Sequence, residues 1–268
     1  MFILISVLLS FSVLISLMYL SKQRDSTFSR KYDVIVILRE ILLLVRQCRS
    51  HTHQSIALNK DLSNEIQDIV TQLDIKSNQL IASSAIEYKA NYRVFQLMLK
   101  SLTRDWQQRT IARNQMVHGK AIRHCLFLID EIIITWLVEA GREDLSTEYH
   151  QNWHQVSDSM EVLTQFRISI QDINSTEGYE RSKYYCNKLR QKINQLSIIS
   201  PLTLTSPACS KALHTLDDLI NNVHYERNID CLYQLTSDIS LNIARVYDQI
   251  LSELTEQLFT PLPKVSFI

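Results

Sequence analysis

The distribution of apolar side chains divides this chain into two regimes. Residues 1–20, MFILISVLLSFSVLISLMYL, are apolar on every face a helix could present and carry no charged side chain. Such a helix is roughly 30 Å long at 1.5 Å per residue, about the thickness of a bilayer's hydrocarbon core. From Lys31 the pattern changes to a stripe: Val34, Ile37, Leu38, Ile41, Leu42 and Val45, then Ile56, Ile66, Ile69, Val70, Leu73 and Leu80. Spacings of three and four predict one or two long amphipathic helices ending near Ser83 and Ser84.

The same periodicity predicts a helical run from Ala85 through Arg113, carrying Val94, Leu97, Met98 and Leu102. A third run passes Leu126, Ile129, Ile133, Trp136 and Leu137 to Gly141. Gly141 reads as a C-cap, with Asp144 or Ser146 as the next N-cap. A fourth helix is expected over about Thr147–Ile173, closed by a turn at Asn174–Gly178, and a fifth over Tyr179–Ile199. Pro201 and Pro207 bracket a β-branched polar stretch in Ser200–Ser210, the one strongly non-helical connection. Helices over about Ser210–His224 and Asn228–Phe259 complete the series. Short connections between long helices imply antiparallel neighbours. The expected fold is therefore all-α: an up-and-down antiparallel helical bundle with one N-terminal transmembrane helix. Its parts are a transmembrane anchor (1–21), a juxtamembrane connector (22–30), a helical bundle (31–259) and a tail (260–268).

Composition agrees with this reading. Three glycines and four prolines in 268 residues leave few helix breakers, and none of either occurs from Met1 through His118. The 28 basic and 28 acidic side chains cancel, so no net positive field exists to hold a nucleic-acid backbone. Five cysteines without a C-x-x-C pair fit neither a disulfide framework nor a thiolate zinc site, and read as reduced thiols. The apolar segment lacks the basic n-region and small-x-small cleavage site of a signal peptide, so it reads as an anchor. Lys22, Arg24, Arg30 and Lys31 follow it and no basic side chain precedes it. By the positive-inside rule the body is expected in the cytoplasm, on a single-pass inner-membrane protein.

Catalytic patterns are missing. There is no G-x-S-x-G elbow, phosphate-cradling glycine loop or paired-carboxylate site, so no enzyme is expected. His150 and His154 have chelating spacing, but Gln151 stands where a metalloprotease has its glutamate, and two histidines alone leave a site incomplete. No metal and no cofactor are assigned. Asp130 and Glu131, inside LFLIDEIIITWL, read as an ion pair with Arg123 or as a solvent face.

Arginines in apolar helix segments carry more information. Arg49 follows ILREILLLVRQC, Arg123 lies in GKAIRHCLFLI and Arg167 in MEVLTQFRISI. A guanidinium near a bundle interior needs an anionic or polar partner, and its planar fork of donors suits oxyanions. At these residues the chain resembles the nitrate- and nitrite-sensing helical domain of bacterial receptors and antiterminators (the NIT domain). Leu44–Ser50, LVRQCRS, is similar to the family's L-Q-x-E-R-G-x-S run and puts Arg49 on the motif arginine. Met160–Ile168, MEVLTQFRI, is similar to K-E-x-x-G-x-E-R-A and matches Glu161 and Arg167. Leu232–Leu254 is similar to the final helix, with Thr236 in the threonine place. Cys48, Ser50, Met160 and Phe166 depart from the pattern.

The resemblance implies a helical bundle in which inward arginines hold nitrate or nitrite, and in which binding shifts helices to signal onward. Arg49 and Arg167 are the expected anion contacts; Arg123 joins them for its apolar setting alone. The expected partners are nitrate or nitrite, the membrane, a protein that receives the signal, and a second copy of the chain if it dimerises. The alternative is a membrane-tethered scaffold with no small ligand, in which Arg49 and Arg167 lie apart or pair with acids such as Glu161.

Overall fold

The computed structural model describes residues 2–201, 207–221 and 228–263, without the side chains of residues 2–5, 7, 8 and 208. Among the described residues every regular element is helical. They are α1 (Phe2–Leu58), α2 (Ser63–Ser83), α3 (Lys89–Thr103), α4 (Ile111–Ala140), α5 (Glu143–Ser169), α6 (Thr176–Ile199), α7 (Pro207–Asn221) and α8 (Ile229–Leu258). Neighbours in sequence pack as antiparallel neighbours in space, and α1 also packs on α4 and α5 on α8. The long helices α1, α4, α5 and α8 thus form a central group, with α2 and α3 against one side and α6 and α7 against the other.

Helix α1 is unbroken for 57 residues. The connector expected over 22–30 is itself helix, so residues 9–20 and the bundle share one rod. Among the described side chains, Phe28 is the first along it that is buried. Before it, Leu9, Phe11, Val13, Leu14, Ile15, Leu17, Met18, Tyr19 and Leu20 are all more than half exposed. The expected anchor falls partly on side chains outside the described residues. Among the described residues no helix is long and apolar enough to cross a membrane.

Local chemistry sets the boundaries. At the end of α1 the chain turns through Asn59, at φ 50°, a conformation that asparagine tolerates better than most residues. The run expected from Ala85 through Arg113 is divided, because α3 ends at Thr103 and Asp105 takes φ 53°. The Arg109 guanidinium fills the role of a C-cap there, donating to the carbonyls of Leu102 (2.6 Å), Ser101 (2.7 Å) and Arg104 (2.6 Å). Gly141, at φ 69°, caps α4 as expected. Neither Asp144 nor Ser146 is the next N-cap: Arg142 takes that position, and Asp144 lies in the first turn, where its charge suits the helix dipole. Ser175 and Asn228 cap α6 and α8 through their side-chain oxygens. The expected end of the penultimate helix at His224, and part of the Ser200–Ser210 connection, lie outside the described residues.

Candidate functional site

Helix α8 runs antiparallel to α1, and long side chains bridge the two. The Tyr32 hydroxyl donates to the Pro261 carbonyl at 2.8 Å. Arg39 pairs with Asp248 at 2.5 Å and donates to the Pro263 carbonyl at 3.1 Å. Further along, Arg46 donates to the Ser240 carbonyl at 3.4 Å, Arg49 to the Ser240 hydroxyl at 3.3 Å, and the His53 ring lies 4.4 Å from that of Tyr233. Arg39, Arg46 and His53 recur every seven residues, two helical turns, so they share one face of α1.

Arg167 reaches the same stretch of α8 from α5. Its Nε donates to Thr236 Oγ1 at 3.0 Å and its Nη2 to the Thr236 carbonyl at 2.8 Å. Thr236 and Ser240 are one helical turn apart, so α8 gathers Arg46, Arg49 and Arg167 onto adjacent hydroxyl and carbonyl oxygens. Arg49 is 6% exposed and Arg167 is 3% exposed. Arg39 has its carboxylate; among the described residues no carboxylate comes within ion-pair distance of Arg46, Arg49 or Arg167. Arg49 Nη1 and Arg46 Nε are buried without a hydrogen-bond partner.

The electrostatics follow from this crowding. Burial, then the charge of Arg46, draws Arg49 down to about 9. Burial draws Arg46 down to about 10, opposed by the Cys125 sulfur and by Asp248. Arg167 is pulled well below the usual arginine range by burial, then by Arg49 and Arg46. Two histidines beside the cluster are held neutral. His53 falls to about 4, chiefly through burial, with Asp230 opposing and Arg167 and Arg49 assisting. His118 falls to about 3 through burial and the charges of Arg49 and Arg109, against a bond to the Asn114 carbonyl. The site therefore holds concentrated positive charge, neutral hydroxyl, amide and imidazole groups, and buried donors without acceptors.

A cavity of about 170 Å³ opens beside Arg49, bounded by His53, Lys60, Gln115, Asp230 and Tyr233. A larger cleft of about 900 Å³ lies at the opposite end, between Arg30, Ser84, Tyr88 and Glu139. It contains none of the clustered arginines.

Of the three arginines singled out in the sequence, the fold joins Arg49 and Arg167 and leaves Arg123 elsewhere. Arg123 forms an ion pair with Glu161 on the half-exposed α4–α5 surface, so neither Asp130 nor Glu131 is its partner. Glu161, expected near Arg167 in the scaffold alternative, is engaged by Arg123 and Gln165. Asp130 is half-buried and its carboxyl is raised by burial. His150 and His154 face each other with Nε2 atoms 2.9 Å apart on an exposed surface. Among the described residues no group of three or more His, Cys, Asp or Glu could hold a metal ion.

Arg46, Ser240, His53 and Gln115 were not expected at the site. The seven-residue interval of Arg39, Arg46 and His53 is the sequence signal that points to the first and third. Comparison with known proteins finds no matching family, no matching curated protein and no matching solved structure.

Proposed function

We propose that this chain is a membrane-anchored helical sensor that binds a small oxyanion between α1, α5 and α8. One observation carries the reading: Arg49 and Arg167 are buried together, beside Arg46, with neutral oxygens as their partners and, among the described residues, no carboxylate at ion-pair distance. Buried like charges raise one another's free energy, and an anion seated among them relieves both the repulsion and the unmet donors. Guanidinium forks offer the directional donors that a planar oxyanion accepts. Nitrate and nitrite are the ligands that the resemblance to the NIT domain suggests.

Signalling follows from differential affinity. An anion that binds one packing of α1, α5 and α8 more tightly biases the bundle toward that packing. Arg49 and the apolar N-terminal stretch belong to one uninterrupted helix, separated by roughly 45 Å of rigid rise. A displacement at the site is thereby carried to the anchor or to a partner protein. The anchor reading rests on the charge-free residues 1–20 and on the unpacked apolar side chains from Leu9 to Leu20. The basic residues after them favour a cytoplasmic body.

Calorimetric titration of the full-length chain in detergent with nitrate and nitrite tests the binding. Heat that saturates in the millimolar range or below, and that disappears in Arg49→Gln, is the expected result. Absence of heat with either anion, with helical content verified by circular dichroism, would sink the reading. Resistance of the full chain to alkaline extraction from membranes tests the anchor.

A further inference from the structure

We propose that His150 and His154 form a two-histidine site on the outer face of α5 for a divalent late first-row transition-metal ion, copper(II) or nickel(II). The proposal is independent of the oxyanion reading and uses none of its residues.

The two histidines stand four residues apart, so α5 presents them on one face, one turn from each other. Both are exposed, and their Nε2 atoms are 2.9 Å apart. A metal–imidazole bond is about 2.0–2.1 Å long, so nitrogens at that separation subtend roughly 90° at a shared ion. Tetrahedral ligands would need roughly 3.3 Å. A right angle is the cis angle of square-planar and octahedral ions, and nitrogen donors in that geometry select copper(II) or nickel(II).

The same 2.9 Å also serves a hydrogen bond between the rings. A straight one would hold the ring centroids roughly 5 Å apart, whereas they lie 4.4 Å apart. Donor and acceptor axes are therefore out of line, and the contact that an ion would replace is a weak one. When it is replaced, the donating ring's proton moves to Nδ1, which leaves both Nε2 lone pairs to the metal.

The backbone that carries the pair is held in place. Tyr149 and Trp153, each immediately before one of the histidines, are buried, and Trp153 packs on Phe127 and Tyr247. Little order has to be created on binding. Across the α4–α5 seam, Asp130 lies close enough for its charge to act on both rings, and a cation between them would feel the same charge. Among the described residues no third His, Cys, Asp or Glu joins the pair in a metal-binding group. Water takes the remaining coordination positions, which makes the ion exchangeable.

Calorimetric titration of the full-length chain in detergent with copper(II), nickel(II) and zinc(II) chlorides tests the site. Saturable binding of one copper or nickel ion per chain is expected, with copper(II) tighter than zinc(II). Either His150→Gln or His154→Gln should weaken it by at least about tenfold, because losing one ligand abolishes chelation. Both residues are exposed, and circular dichroism verifies that each variant keeps its helices. Absence of saturable binding by copper(II) and nickel(II) would overturn the proposal and show a hydrogen-bonded pair only. An unchanged titration in either variant would overturn it too, and zinc(II) binding more tightly than copper(II) would overturn the right-angle geometry.

Discussion

Arg167 and Thr236 are joined twice, by Nε to the threonine hydroxyl at 3.0 Å and by Nη2 to its carbonyl at 2.8 Å. The hydroxyl also donates to the Tyr233 carbonyl at 2.8 Å, so its proton is committed and a lone pair is left for the guanidinium. A neutral acceptor fixes Arg167 in place without cancelling its charge. An aspartate at that position would hold the arginine and cancel one of the three clustered positive charges.

Thr236→Val therefore exposes how far the cluster depends on that hydroxyl. Valine keeps the shape and removes the acceptor, leaving a buried charged N–H unmet, at a cost of at least about 1–3 kcal/mol. Thr236→Ser restores the acceptor and should lie close to wild type. Urea unfolding of the three proteins measures the difference; equal midpoints for valine and threonine would show that Arg167 finds another partner.

Arg123→Ala separates the surface arginine from the buried ones. Its partner Glu161 is itself about half exposed, and pairs of this kind contribute at most about 1 kcal/mol. Unfolding should shift by no more than that, with anion titrations unchanged from wild type. A lost titration in Arg123→Ala would bring that residue into the site.

How much of this was readable beforehand depended on sequence distance. Helix identity was legible because the three- and four-residue spacing of Val34, Ile37, Leu38 and Ile41 is local. Arg49 and Arg167 were legible as unusual because each interrupts its own apolar run. The grouping of Arg46 with them was not, since it is set by Ser240, 194 positions away. The break after Thr103 was hidden for a related reason. Arg109 caps that helix end through its side chain, in place of the glycine or proline that normally marks a terminus. Arg123 had acids within two turns of its own helix and took one from the facing helix, a choice made by packing.

His118 makes stability fall with acid. Its folded value is lowered to about 3, by burial first and then by Arg49 and Arg109, against roughly 6.5 in an unfolded chain. Between those values the unfolded chain binds a proton that the native state refuses, so stability is full above pH 6.5 and declines as pH falls toward 3. From pH 7 to pH 5 the contribution is about 2 kcal/mol of lost stability. His53, lowered to about 4, acts in the same direction. Urea midpoints of wild type and His118→Gln at pH 7 and pH 5 check this: the variant should lose about 2 kcal/mol less over the interval.

Two buried glycines should respond to alanine with opposite signs. A Cβ on Gly119 would meet Thr164 Cγ2 at 3.6 Å, ordinary contact in the interior of α4. Gly119→Ala should stabilise by close to 1 kcal/mol, the difference in helix propensity. A Cβ on Gly178 would lie 1.9 Å from the Asp172 carbonyl oxygen and 2.5 Å from its carbon. Those atoms belong to the turn that Ser175 ties to the start of α6, and backbone yields far less readily than a side chain. Gly178→Ala should therefore destabilise by at least about 1–3 kcal/mol despite alanine's better propensity. Thermal unfolding of the two variants decides it, and a gain for Gly178→Ala would mean that the α5–α6 turn opens at little cost.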